Sequence, residues 1–96
     1  MINSLCEVAY SVAKLKGWYS DNIQTGTSLA LIHSEVSEAL EADRVGNREL
    51  FEEELADICI RVFSLCGHMN IDLEKRIVDK MVDNYKRPYK HGGKLY

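Results

Sequence analysis

The tripeptide Val45-Gly46-Asn47 constrains the fold more than any other feature of the chain. It separates two stretches of helical hydrophobic pattern, and it joins a glycine to a helix-capping asparagine. One helix therefore stops there and another starts. The acids around it are symmetric. Glu35 and Glu38 precede it, Glu54 and Asp57 follow it, and each pair has i,i+3 spacing. Such pairs share one side of a helix, one turn apart. Glu38 with Glu54, and Glu35 with Asp57, are both centred on Gly46. A hairpin folded at Gly46 sets Glu38 opposite Glu54 and Glu35 opposite Asp57, roughly 12 Å from the turn.

Four carboxylates at one level of a hairpin repel one another. Either some stay protonated, or a cation sits among them. A set of oxygen ligands suits a hard cation, Mg²⁺ first and Mn²⁺ as a substitute. The ordinary alternative is a solvated acidic surface, since the chain holds fifteen acids in 96 residues.

ExxE, a short spacer and ExxD, embedded in EVSEALE and EELADICIRV, resemble the MazG-like all-α nucleoside triphosphate pyrophosphohydrolases. The resemblance runs from about residue 28 to the C-terminus. It implies a small all-α four-helix bundle protomer, with an antiparallel hairpin carrying the two motifs. It also implies that Glu35, Glu38, Glu54 and Asp57 hold Mg²⁺, which binds a triphosphate and activates a water. The products are then a nucleoside monophosphate and pyrophosphate.

The 96 residues are expected to make one domain, 1–96, with a basic tail from residue 86 that is expected to be flexible. A helical chain this short gains core by oligomerising, so a homodimer or homotetramer is expected. The net charge is −3, unevenly spread. Residues 35–57 hold nine acids and only Arg44 and Arg48 as bases, whereas residues 86–96 hold four bases and no acid. The acidic centre disfavours nucleic acid. Cys6, Cys59 and Cys66 are odd in number and lie in apolar patterns without a C-x-x-C, as expected of reduced cysteines in a cytoplasmic protein. Met1 to Ala13 lacks a basic start and includes Glu7, so no signal peptide is expected. No apolar run approaches the ~20 residues of a membrane span.

In chain order, Asn3 or Ser4 begins a helix to about Lys16, ended by Gly17. The turn-rich segment after it carries Trp18, the single tryptophan, which either stacks on a base or plugs the core. Thr27 or Ser28 caps the second helix, to about Arg44, with Leu29, Ile32, Val36, Ala39 and Leu40 as its apolar face. His33, on its far border, is either a substrate contact or a partly exposed hydrogen bonder. Asn47 caps the third helix, to about Cys66 or His68, with Leu55, Ile58, Val62, Leu65 and Met69 as its stripe. Arg61 neutralises Asp57 or reaches a phosphate. Asp72 caps the fourth helix, whose Leu73, Ile77, Met81 and Tyr85 face the core and which Pro88 stops. Arg76, Lys80 and Asn84 recur every four residues on the adjacent stripe, with Arg87 nearby. Lys80 and Asn84 match a lysine and asparagine that contact metal-bound phosphates in MazG-like enzymes. The ending NYKRPYKHGGKLY resembles that of some small MazG-like proteins, and its Lys90, His91 and Lys94 could close over phosphates.

The expected reaction is Mg²⁺-dependent cleavage between the α- and β-phosphorus atoms of a (deoxy)nucleoside triphosphate, suited to cleansing the nucleotide pool. Family analogy makes Glu38 the base and Lys80 a catalytic cation. Trp18, His33, Arg61, Asn84 and Arg87 are the further substrate contacts. A phosphoribosyl-ATP pyrophosphohydrolase of histidine biosynthesis is the nearest rival on the same scaffold. A di-iron bundle wants Glu-x-x-His pairs, which are lacking here. A non-catalytic helical module is the remaining alternative.

Overall fold

The computed structural model describes residues 1–19 and 22–88. Four helices form: α1 (Ile2–Leu15), α2 (Thr25–Arg44), α3 (Arg48–His68) and α4 (Leu73–Lys86). Among the described residues there is no strand, and no helix is long and apolar enough to cross a membrane. The chain is thus a small all-α bundle. The tail residues Lys90, His91 and Lys94 lie outside the described residues.

Three of the helices end the same way. At Gly17, Gly46 and Asn70 the chain turns left-handed, with φ of 89°, 76° and 55°. The next amide then reaches back five residues: Trp18 donates to Ala13, Asn47 to Ala42 and Ile71 to Cys66, at 2.9–3.0 Å. This closure satisfies carbonyls that a helix end leaves open, and it needs a residue tolerant of positive φ. Asn47 and Asp72 are the expected caps, accepting from the Leu50 and Lys75 amides at 3.0 and 3.1 Å.

The other two starts differ from expectation. α2 begins at Thr25, ahead of Thr27 and Ser28, with no side-chain cap. Its first turn closes through backbone alone, with the Thr27 and Ser28 amides donating to the Gln24 carbonyl. α1 begins at Ile2, and its cap comes from α4. Glu74 Oε1 accepts from the Met1 amine, the Ile2 amide and the Asn3 amide. Asn3 in turn accepts from the Glu74 amide and donates to Asp72 at 2.8 Å.

α3 is the central element, packed against α1 on one side and α2 on the other. α1 and α3 cross closely at Gly67, near Cys6 and Tyr10. The α2 face buried on α3 is Glu35, Ala39 and Ala42, while Leu29, Val36 and Leu40 stay exposed. On α3, Leu65 is buried but Leu55 is exposed, as is Met69 at its C-cap.

α4 departs most from its expected packing. It meets α1 and leaves the bundle, so none of its residues is buried. Met81 is 65% and Tyr85 91% exposed, rather than in the core. The radius of gyration is 16.1 Å, against about 12.5 Å for a compact chain of this length.

Candidate functional site

α2 and α3 run antiparallel from the Gly46 turn and bring three acids together. Glu35, Glu38 and Glu54 each place a carboxylate oxygen within 4.8 Å of the others, the one group of this kind among the described residues. Glu54 faces both acids of α2. Asp57 stands outside the group, exposed on the wall of a neighbouring cleft. The mirror pairing of Glu35 with Asp57 counts only distance along the helix axes; in the structure Glu35 is met by Arg61 instead.

Glu35 is buried at 9% exposure. Its charge is met by Arg61, whose Nε donates to Oε1 at 2.8 Å. That hydrogen bond holds the Glu35 carboxyl below the usual range, against the opposing effect of burial. Arg61 therefore pairs across the helices with Glu35, where the sequence suggests Asp57 or a phosphate. Glu54 behaves oppositely. Burial, then its hydrogen-bonding and charge contacts with Glu35 and Glu38, push it up to about 7. Its Oε2 is buried without a hydrogen-bond partner.

These features fit a divalent cation. The donors are all carboxylate oxygens, and a cation would relieve both the crowding and the orphaned oxygen. Glu35, Glu38 and Glu54 are the residues that could hold it. Asp57 is the next acid along, on the same cleft wall as Glu35.

The cleft lies between α1, α2 and α3 and has a volume of about 800 Å³, within the usual range for small-molecule sites. Leu5, Val8 and Val12 of α1 and Ile60 and Phe63 of α3 line it. Glu35, Asp57, Arg61 and Trp18 also line it. Trp18 is 44% exposed and its ring lies 5.3 Å from the Arg61 guanidinium carbon.

The loop that carries Trp18 is anchored on α3 through Ser64, to which the sequence pattern assigns no role. Tyr19 shares a 2.7 Å hydrogen bond with the buried Ser64 hydroxyl, and its ring stacks on His68 at 4.2 Å. A serine inside the apolar run VFSLC was the available signal, because a buried hydroxyl needs a partner.

Other proposed substrate residues are not gathered here. His33 is exposed on α2 and does not line the cleft. Lys80, Asn84 and Arg87 are exposed on or just beyond α4 and take no part in the cleft wall. The reason is the outward course of α4, whose main packing is on α1.

No curated protein and no solved structure shows a significant match to the chain. One family model does match, that of phosphoribosyl-ATP pyrophosphohydrolase, over residues 11–82. The match covers the four acids, Trp18, His33, Arg61 and Lys80, and stops short of Asn84 and Arg87. It begins in α1, well ahead of the residue 28 from which the MazG-like resemblance runs. It takes in three-quarters of the chain, including the whole acidic hairpin, and on that basis the chain belongs to the phosphoribosyl-ATP pyrophosphohydrolase family of the MazG-like superfamily.

Proposed function

We propose that the protein is a divalent-cation-dependent pyrophosphohydrolase acting on the triphosphate of a nucleotide, releasing a nucleoside monophosphate and pyrophosphate. The convergence of Glu35, Glu38 and Glu54 beside the cleft carries the reading. A free (deoxy)nucleoside triphosphate is the first substrate class, on the context of the ExxE and ExxD motifs, with a role in cleansing the nucleotide pool. Phosphoribosyl-ATP is the second, and the family match favours it. Both substrates are cut at the same α–β anhydride.

Bound among the acids, Mg²⁺ would offset phosphate charge and lower the pKa of the attacking water. The protein's own groups supply position and proton transfer. Glu35 and Glu54 would hold the cation from positions set by packing. Glu38, exposed at the edge of the group, would take a proton from water. Phosphoryl transfer depends mainly on alignment and charge compensation, so no nucleophilic side chain is required. The apolar cleft wall and Trp18 offer a surface for the base.

Lys80, Asn84 and Arg87 do not reach this site within one chain. A homodimer or homotetramer in which a second copy lays α4 along the hairpin would bring that row to the phosphates. The uncovered apolar face of α4 supports such an arrangement.

The test is to incubate purified protein and Mg²⁺ with each (d)NTP and with phosphoribosyl-ATP. Equal release of monophosphate and pyrophosphate, abolished by EDTA, is expected. Orthophosphate would mean that another bond is cut. No product from any substrate would leave a binding module.

A further inference from the structure

Arg61 is the one cation in direct contact with the three-acid group among the described residues. It belongs to α3, yet its Nε–H is spent on Glu35 of α2. That bond occupies Oε1 of Glu35. The guanidinium also stands over the Trp18 ring, with its carbon 5.3 Å from the ring centre. The chain neighbour of Trp18, Tyr19, is tied to Ser64 of α3 by a 2.7 Å hydrogen bond. A continuous set of contacts thus runs from Ser64 through the aromatic loop and Arg61 to Glu35.

We propose that Arg61 is a positioning residue for the cation site, holding Glu35 in its binding orientation while Trp18 braces Arg61 from the cleft wall. This rests on the reading of the acids as a cation site. The physical argument is that a partly buried carboxylate has several rotamers and two equivalent oxygens. A hydrogen bond to one oxygen fixes the plane of the group and leaves the other for a cation. Such supporting bonds are worth about 10–100-fold in metal affinity. A planar guanidinium can donate along its edge and stack on its face at once, and an ammonium cannot. The role therefore asks for arginine and not merely for positive charge. By charge alone, Arg61 would oppose cation binding, so the two accounts predict opposite signs.

The experiment measures Mn²⁺ binding to the full chain by loss of the free-ion EPR signal, for wild type, Arg61→Ala, Arg61→Lys and Trp18→Ala. Far-ultraviolet circular dichroism checks folding of each. Arg61→Ala is expected to weaken Mn²⁺ about 10–100-fold. Arg61→Lys should fail to restore it, and Trp18→Ala should weaken it several-fold without touching an acid. Trp18 is the single tryptophan, so Mg²⁺ should shift its emission in wild type and not in Arg61→Lys. Unchanged or tighter Mn²⁺ binding in Arg61→Ala, or full recovery in Arg61→Lys, would overturn the proposal. Should Arg61→Ala fail to fold, Trp18→Ala decides alone, and wild-type affinity there overturns it. Wild type that binds no Mn²⁺ removes the cation site itself, a result distinct from these.

Discussion

Gly67 of α3 lies so close to Cys6 of α1 that a Cβ built on it would stand 2.5 Å from the Cys6 carbonyl oxygen and 2.6 Å from the Tyr10 Cβ. Both neighbours are held by helix geometry and cannot swing aside. Gly67→Ala should therefore force the α1–α3 crossing apart. Overpacking of this kind costs about 1–3 kcal/mol, offset by up to ~1 kcal/mol from alanine's better helix propensity. A net loss of roughly 1–2 kcal/mol would lower Tm by about 4–8 °C per kcal/mol at fixed protein concentration. Gly26 of α2 has nothing within 4 Å of its built Cβ, so Gly26→Ala should be neutral or slightly stabilising. Thermal melts of the two variants side by side check the contrast.

Glu54 gives the metal-free protein a pH dependence of definite sign. Its folded value is raised from the ordinary 4.5 to about 7. Between these values the folded chain keeps a proton that the unfolded chain has released. Its contribution is complete below about 4.5 and is lost as pH rises through about 7. Glu35, Asp72 and Glu74 are lowered instead, so their contributions are present at neutral pH and lost only in acid. In EDTA, Tm should fall from pH 5 to pH 8, and Glu54→Gln should flatten the decline. Added Mg²⁺ should raise Tm most at pH 8, where the acids are ionised.

The hairpin was legible from sequence because its signals are local. A glycine at the required positive φ and an asparagine cap need only a few neighbours to act. Asp72 capped α4 for the same reason. The cap on α1 was not legible, because Glu74 reaches it across 72 residues of chain. Helix faces were also misread. Hydrophobic periodicity finds the face that avoids water, yet in one protomer Leu29, Val36, Leu40, Met81 and Tyr85 stay exposed. Periodicity cannot tell a face covered by its own chain from one left open. Of the four acids marked by their spacing, Glu35, Glu38 and Glu54 come together, while Asp57 stands on the cleft wall and Arg61, not Asp57, meets Glu35.

Glu54 and Asp57 should be distinguishable by cation affinity. Glu54 has the buried, unpartnered oxygen within the group, whereas Asp57 is exposed outside it. Glu54→Gln should cost Mn²⁺ affinity about 100-fold or more, on the scale of losing a ligand and its supporting contacts. Asp57→Asn should cost distinctly less. Equal losses, read by titration calorimetry, would show that Asp57 joins the site once a cation enters.

Glu38 separates binding from turnover. It is the exposed member of the three acids, so Glu38→Gln should leave helicity and Tm close to wild type. Pyrophosphate release should nevertheless be abolished, because glutamine can neither accept the water's proton nor supply a charged ligand. A variant that keeps a near-wild-type rate would remove Glu38 from the reaction.

The face of α4 tests whether the site is complete in one chain. Ile77, Val78, Met81 and Tyr85 leave an apolar strip in water, beside the Lys80 and Asn84 positions. A second copy covering this strip would bury it and carry the basic row with it. Sedimentation equilibrium should therefore find a dimer or larger species at micromolar concentration. Met81→Glu puts a charge at the centre of the strip, where desolvating it is costly, and should shift the protein towards monomer. Met81→Leu keeps the apolar surface and should not. If Lys80, Asn84 and Arg87 act across the interface, pyrophosphate release should fall in step with association and recover at high protein concentration. A Met81→Glu monomer with full turnover would place the whole reaction within one chain and leave the α4 row without a role in it.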